Sequence, residues 1–310
     1  MSGNRIAVLL SAYNGERYIE KQIESILNQD GIDSLTIIIR NDGSKDNTMR
    51  VIEKLQADHK NIEVIDGKNK GLVASFLELL KYAYEKEYDY YAFSDQDDYW
   101  LPEKLSIALQ SLERHDEPCM YSACSKIVDD DLLESGSVTQ TKLKDITLYN
   151  SAIQNFCPGH NQVLNHAMAG MVVDKTRYST AIYSQDMWIT TVASVTGNII
   201  FDNTPHTLYR QHANNQLRFG KSKLEWVKDH IKRLMKDEGM KIAIQLRLFA
   251  DCYGEYLSDE QKKEILDFFD SQKSFPKRLC YILRTKLYRQ RGYETLMFKL
   301  IYLAGGYNIR

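Results

Sequence analysis

The sequence predicts an α/β protein: a doubly wound, mostly parallel sheet followed by a helical region. Three observations carry this. Short apolar, strand-like runs alternate with amphipathic helical patterns over the first hundred residues, which is the signature of stacked βα units. Each run ends in a polar turn, and in such sheets ligands bind beyond the carboxyl ends of the strands. From about Lys221 strand signals nearly vanish and long helical patterns take over. The expected division is therefore 1–220 for the sheet domain, where a nucleotide would bind, and 221–310 for a helical appendage suited to a membrane surface or to oligomerisation.

The elements follow in order. Ile6 to Leu10 reads as a buried strand and runs into the turn Ser11-Ala12-Tyr13-Asn14-Gly15-Glu16. Ile19, Ile23, Ile26 and Leu27 then share one helix face. Leu35 to Ile39 is a β-branched strand ending in Arg40-Asn41-Asp42-Gly43-Ser44, and Asp46 or Asn47 caps the next helix. Ile62 to Ile65 is a third strand. Val73, Phe76, Leu77, Leu80 and Tyr84 line the helix after Gly71, and Asp89 to Phe93 is the fourth strand. A helix follows Pro102, Cys119 to Cys124 is strand-like, and Asp129-Asp130-Asp131, a second candidate metal cluster, reads mostly as a solvated turn. Residues 156–165 are compact and polar around Pro158-Gly159; a helix starts near Asp186, and Ile199 to Phe201 is a short strand.

Composition sets bounds. The chain has 310 residues, 43% hydrophobic and 26% charged, enough for one large domain and an appendage. A formal net charge of −2 gives no sign of nucleic-acid binding. Residues 271–310 hold nine Lys/Arg against one acid, Glu294, so this stretch is strongly basic in an otherwise acidic chain. Arg284, Lys286, Arg289 and Arg291 mix there with Leu283, Leu287 and Phe298, a pattern suited to an anionic membrane surface or to a packed helix with a solvated basic face. Five cysteines at irregular spacing read as buried thiols of a reducing compartment. With no signal-peptide pattern at Met1 and no apolar run near the ~20 residues of a membrane span, a cytoplasmic location is expected.

Chemistry concentrates in Phe93-Ser94-Asp95-Gln96-Asp97-Asp98-Tyr99-Trp100, where a strand ends in three carboxylates within four residues. Carboxylates packed this closely need a positive partner, and a hard cation such as Mg²⁺ or Mn²⁺ suits them. A D-x-D at a strand end points to a metal holding a diphosphate. The plain alternative is an acidic turn capping the following helix. The turns Tyr13-Asn14, Asn41-Asp42 and Asp95–Asp98 should converge on one crevice, which argues for a nucleotide site. There is no Gly-x-Gly-x-x-Gly and no Walker lysine loop.

Five segments in order resemble the family 2 glycosyltransferases of the GT-A fold: Ser11–Glu16, Asn41-Asp42-Gly43-Ser44, Phe93–Asp98, Asp186-Met187-Trp188 and Tyr209-Arg210-Gln211-His212. The wording of the third and fifth is most similar to bacterial rhamnosyltransferases of O-antigen, capsule and rhamnan synthesis. The resemblance covers about the first 215 residues. It implies inverting, metal-dependent transfer of a sugar from a nucleotide-diphospho-sugar, best matched by dTDP-L-rhamnose, to a glycan or lipid-linked acceptor. A UDP-sugar donor (glucose, galactose or N-acetylhexosamine) is the alternative, left open because Asn41 stands where the family usually has Asp. The implied roles are Asp186 as general base; Asp95, Asp97 and His212 around Mn²⁺ or Mg²⁺; and Ala12, Tyr13, Asn14, Glu16, Asp42, Asp95, Arg210 and Arg218 on the donor. Asp98, Trp100, His160 and Asn161 fall on the acceptor side. Each has a plainer structural role available: turn chemistry, a helix cap, a core aromatic or a core histidine. The resemblance leaves peripheral contact with the inner membrane surface and homo-oligomerisation open. Two rival functions are weighed as well. A nucleotidyltransferase usually needs a glycine-rich basic loop where Ser11–Glu16 stands, and a non-catalytic carbohydrate-binding protein would not need Asp95, Asp97 and Asp186.

Overall fold

The computed structural model describes residues 4–175, 180–212, 228 and 231–309. Its strands are β1 (Ile6–Ala12), β2 (Leu35–Asn41), β3 (Ile62–Asp66), β4 (Tyr90–Ser94), β5 (Tyr99–Trp100), β6 (Cys119–Ala123), β7 (Lys126–Val128), β8 (Glu134–Val138), β9 (Val163–Asn165), β10 (Asn198–Asp202) and β11 (Thr207–Arg210). Its α-helices are α1 (Ile19–Leu27), α2 (Thr48–Asp58), α3 (Leu72–Tyr84), α4 (Lys104–Leu112), α5 (Leu148–Ser151), α6 (His166–Val173), α7 (Gln185–Thr196), α8 (Gly239–Tyr253), α9 (Asp259–Ser271), α10 (Phe275–Arg284) and α11 (Gly292–Leu303). The chain divides into two compact units, Met1–Thr141 with Cys157–Thr180 and Gly197–Phe219, and Lys142–Phe156 with Ala181–Thr196 and Gly220–Arg310. The helical unit thus draws two segments from before residue 220.

The first unit is built on a seven-stranded sheet in the order β10-β6-β9-β4-β1-β2-β3. The β-branched and aliphatic runs that predict strands form its parallel centre, with β1 between β2 and β4. Both faces are buried, which is why these strands read as continuous apolar runs rather than alternating ones. On one face Val8, Leu10, Ile37 and Ile39 meet Ile19, Ile23, Ile26 and Ile52 of the helices. On the other, Phe93 meets Phe76 of α3 edge to face at 5.6 Å. The exception to the parallel pattern is β9, antiparallel to both β4 and β6. A second sheet, in the order β5-β11-β7-β8, has no counterpart in the sequence reading. Its outer strand, Glu134–Val138, is exposed throughout and shows no apolar alternation.

The second unit is helical. Trp188 of α7 is buried edge-on against Phe249 and Tyr253 of α8, at 6.2 and 5.8 Å. Phe268, Tyr281, Phe298, Tyr302 and Tyr307 form an aromatic core between α9, α10 and α11. Ser258 and Gln261 cap α9 reciprocally, and Pro276 sits in the first turn of α10, where its missing N–H costs nothing. Cys119, Cys124 and Cys157 are buried thiols, as expected, but Cys252 is only partly buried and Cys280 is exposed. Among the described residues no helix is long and apolar enough to cross a membrane.

Candidate active site

Three turns meet at the carboxyl edge of the sheet because β1, β2 and β4 end in parallel register, with Ala12 beside Asn41 and Leu10 beside Ser94. The loop after β1 is fastened on both sides. Gln96 accepts a hydrogen bond from the Tyr13 amide at 2.9 Å and donates to the Tyr13 carbonyl at 3.0 Å. A Cβ at Gly15 would fall 2.2 Å from the Gln96 side-chain oxygen, so only glycine lets this approach occur. Asn14, in the left-handed region at φ 50°, donates its amide to Ser44 and accepts from the Lys45 amide. Glu16 accepts from the amide and side chain of Asn47, both at 2.8 Å. Ala12 is fully buried beneath this loop, and the Tyr13 ring is exposed above it.

Asp42 has a different role from the one the sequence implies. It is buried; its carboxylate accepts from the backbone amides of Lys70 and Gly71, at 2.8 and 2.9 Å, and pairs with Arg40. Both oxygens hold partners that tie the end of β2 to the loop before α3. Asn41 beside it donates to Asp66 and accepts from the Ser44 amide.

The acid turn itself is shaped by the second sheet. β5, directly after the acids, pairs antiparallel with β11, Trp100 opposite Thr207. That ladder carries the end of β11 back to the acids, so His212 Nε2 lies 2.9 Å from Asp97 Oδ2, although 115 residues separate them. The Arg210 guanidinium donates to the carbonyls of Asp97, at 2.9 Å, and Asp130. It is buried. These bonds make it a brace for the acid turn rather than a surface clamp. The Tyr18 ring stacks on His212 at 4.9 Å, and its hydroxyl donates to Asp130 Oδ1 at 2.9 Å. Arg17 pairs with the other Asp130 oxygen at 3.0 Å. The turn that reads as solvated is therefore divided: Asp129 accepts from the amides of Asp131 and Leu133, while Asp130 anchors α1 and β11.

A second imidazole faces the acids. β9 runs antiparallel to β4, and the short turn before it brings His160 Nδ1 to 3.7 Å from Asp95 Oδ2 and 3.7 Å from Asp98 Oδ2. His160 Nε2 lies 2.9 Å from Ser125 Oγ, and its ring stacks on Tyr209 at 5.2 Å. Under this group sits Lys104, buried, with its ammonium 3.8 Å from the centre of the Trp100 ring and 2.7 Å from the His160 carbonyl. Asn161 is buried as well, donating to the Ala123 carbonyl and Ser125 and accepting from Lys104 and Thr207. The resemblance places Asp98, Trp100, His160 and Asn161 on the acceptor side. All four are at most 5% exposed, and Trp100 belongs to the main core, so none offers an acceptor a face. Burial pushes the Asp98 carboxyl well above its usual range; Asp97 and Asp95 add to this, and His160 and Lys104 oppose it. Burial likewise drives Lys104 well below the usual lysine range against the pull of Asp98 and Asp95. Burial works against charge on His160 too, yet the carboxylates of Asp98 and Asp95 raise its pKa.

These residues fit a divalent cation. Asp95, Asp98 and His160 each offer a ligand atom, all within 4.8 Å of one another. Ligands sharing one such ion at ~2.1 Å lie about 3 to 4 Å apart. Asp98 Oδ2 is buried with no hydrogen-bond partner among the described residues, an arrangement that is costly without a cation opposite it. The mixed carboxylate and imidazole set suits Mn²⁺ better than Mg²⁺. Asp97 with His212 supplies a second such pairing, so the fold divides the expected set, Asp97 with His212 and Asp95 with Asp98 and His160. Sequence reasoning missed Tyr18 and Lys104, and it singled out Asp130 only as part of an acidic turn. Lys104 and Tyr18 look like ordinary helix-flank residues, and only strand pairing between distant segments reveals their neighbours.

In the second unit, Asp186 lies in the first turn of α7 and is half-buried. Its Oδ2 accepts from Asn155 at 2.7 Å, and its Oδ1 accepts from the Met187 amide at 2.9 Å and from the Ser184 hydroxyl. The carboxylate is held in one orientation by these bonds. Arg218 lies outside the described residues.

Comparisons with known proteins add to this geometry. Residues 7–176 match the family model described as glycosyl transferase family 2. The chain is 30% identical over 217 residues to the dTDP-rhamnosyl transferase RfbG of Shigella flexneri, spanning 67% of this chain and 73% of that protein. It is 30% identical over 131 residues to the UDP-Glc:alpha-D-GlcNAc-diphosphoundecaprenol beta-1,3-glucosyltransferase WfaP of Escherichia coli, 42% of this chain and 49% of the relative. In fold it is similar to S. aureus TarS 1–349 in complex with UDP-GlcNAc, with a TM-score of 0.57 at 17% identity over 96% of this chain and 90% of that one.

Proposed function

We propose that this chain, which belongs to glycosyl transferase family 2 and has the GT-A fold of that family, moves L-rhamnose from dTDP-L-rhamnose to a hydroxyl of a glycan or lipid-linked glycan. The setting is bacterial surface polysaccharide synthesis in the cytoplasm. The observation that carries this reading is the meeting of Asp95, Asp97 and Asp98 with His160 and His212, beside the fastened loop after β1. The rhamnosyl choice is supported by the similarity to RfbG across two thirds of the chain. A UDP-sugar donor is the second reading, favoured by the similarity to the UDP-Glc-dependent WfaP.

The acceptor oxygen attacks the anomeric carbon, the bond from that carbon to the diphosphate oxygen breaks, and the nucleoside diphosphate leaves with the bonding pair. The acceptor proton passes to Asp186, which Asn155 and Ser184 hold in place. Asp95, Asp98 and His160 would hold a divalent cation, with Asp97 and His212 beside them. When bound, it would supply Lewis-acid stabilisation of the departing diphosphate. Tyr13, exposed on its fastened loop, offers a stacking face for the base. One carboxylate base without a second nucleophile gives inversion, so a β-linked donor yields an α-linked product.

The test is turnover by Asp186→Asn, with donor affinity measured in parallel on the same protein. Loss of a general base costs about 10²- to 10⁴-fold in turnover. Donor affinity is expected to stay within a few-fold of the parent. Turnover close to the parent's removes Asp186 from the mechanism.

A further inference from the structure

Residues 285–291, between α10 and α11, are neither helix nor strand, yet Arg289 and Gln290 are buried there. A connection between helices ordinarily runs over the surface and needs no buried polar side chains. Here they bind an earlier stretch of the same unit, residues 143–154. The Gln290 side chain accepts from the amides of Leu143 and Lys144, at 3.0 and 2.8 Å, and donates to the Lys144 carbonyl at 3.1 Å. Further along, Arg289 donates to the Ile153 carbonyl at 3.3 Å, and the Gln290 amide donates to the Gln154 side-chain oxygen at 2.9 Å. Gln154 Nε2 donates at 3.1 Å to Glu294, which is itself buried and paired with Arg289 at 3.7 Å. Connected buried polar groups of this kind fix one arrangement, because breaking any link strands its partner away from water.

The residue after this clamp is Asn155, the one that donates to Asp186 Oδ2 at 2.7 Å. Its side chain is exposed, so its own burial does not hold it in place. What fixes it is the chain before it. Ile153 and Gln154 are gripped by Arg289, Gln290 and Glu294, and α5 is tied to α7, where the Ser151 carbonyl accepts from Thr191 at 3.3 Å. We propose that Arg289, Gln290 and Glu294 are positioning residues: they hold Asn155 where it orients the Asp186 carboxylate. A general base works only within hydrogen-bond reach of the proton it takes, and a displacement of about 1 Å can cost on the order of 10²-fold. The inference rests on the reading of Asp186 as the base. It gives the C-terminal region, which lies beyond the matched residues 7–176, a part in the transfer itself.

The experiment follows release of nucleoside diphosphate from dTDP-L-rhamnose and from UDP-glucose by the full chain with Mn²⁺, water standing in for the acceptor hydroxyl. It is run well below the melting temperature, so that loss of stability alone leaves turnover per folded molecule unchanged. Glu294→Ala, which frees Gln154 and Arg289, is expected to lower kcat about tenfold or more with the donor KM within about twofold of the parent. Glu294→Gln keeps an oxygen towards Gln154 and should recover most of that loss. Asn155→Ala changes an exposed side chain and should lower kcat about as far as Glu294→Ala, which keeps the test decisive if Glu294→Ala does not fold. Parental kcat in Asn155→Ala, or a fall in kcat matched by a rise in donor KM, overturns the inference while Asp186→Asn remains inactive. Parental turnover in Asp186→Asn removes the base itself, and the inference falls with it.

Discussion

The acids and histidines of the cluster divide by environment. Asp97 and His212 are partly open and bonded to each other, whereas Asp98 and His160 are buried with Lys104 beneath them. The acidic turn was legible in the sequence because three carboxylates crowded at a strand end repel one another and call for a cation. What was not legible is which residues around it face inward. Trp100 shows this: as an aromatic beside the acids it suits sugar stacking, yet the antiparallel pairing of β5 with β11 turns it into the core with Leu105 and Leu109. Trp100→Ala is therefore expected to cost about 3 to 5 kcal/mol of stability, read by urea unfolding. A variant that keeps parental stability while losing acceptor affinity would return Trp100 to the acceptor side. Asp42 teaches the same lesson, since its burial under two backbone amides depends on a loop 28 residues further along.

At the scale of elements, the parallel strands and their helices were legible because buried β-branched runs and 3.6-residue periodicity are local signals. β9 and the small sheet were not: β9 is three residues long, and β7 and β11 find each other only through contacts distant in sequence. That small sheet nevertheless sets the site, because its β7–β8 turn supplies Asp130, which braces Tyr18 against His212. If His212 ligates the cation of the proposed mechanism, partners that position it would commonly contribute 10- to 100-fold in affinity. Tyr18→Phe and Asp130→Asn are each expected to weaken Mn²⁺ binding about tenfold with little change in melting. The measurement is calorimetric titration of Mn²⁺ into nucleotide-free protein. Affinities equal to the parent's would show that the Asp130 and Tyr18 pair does not position His212.

Over the whole molecule, the sheet unit holds the acids and the fastened loops, and the helical unit holds Asp186. The return of residues 142–156 and 181–196 to the helical unit had no local signal, since α5 and α7 look like any short amphipathic segments. The family and the fold were readable from five ordered motifs; the reach of the helical unit depended on packing between aromatic residues far apart in sequence, such as Trp188 and Phe249. The central claim is that the acid cluster grips a nucleoside diphosphate through a divalent cation. The most direct measurement is calorimetric binding of dTDP and UDP with and without Mn²⁺, on the parent and on Asp97→Asn. The expected result is binding of one of the two that depends on Mn²⁺ and weakens by about tenfold or more in the variant. The contradicting result is a folded parent that binds neither nucleotide, or binds one equally well in the absence of the cation.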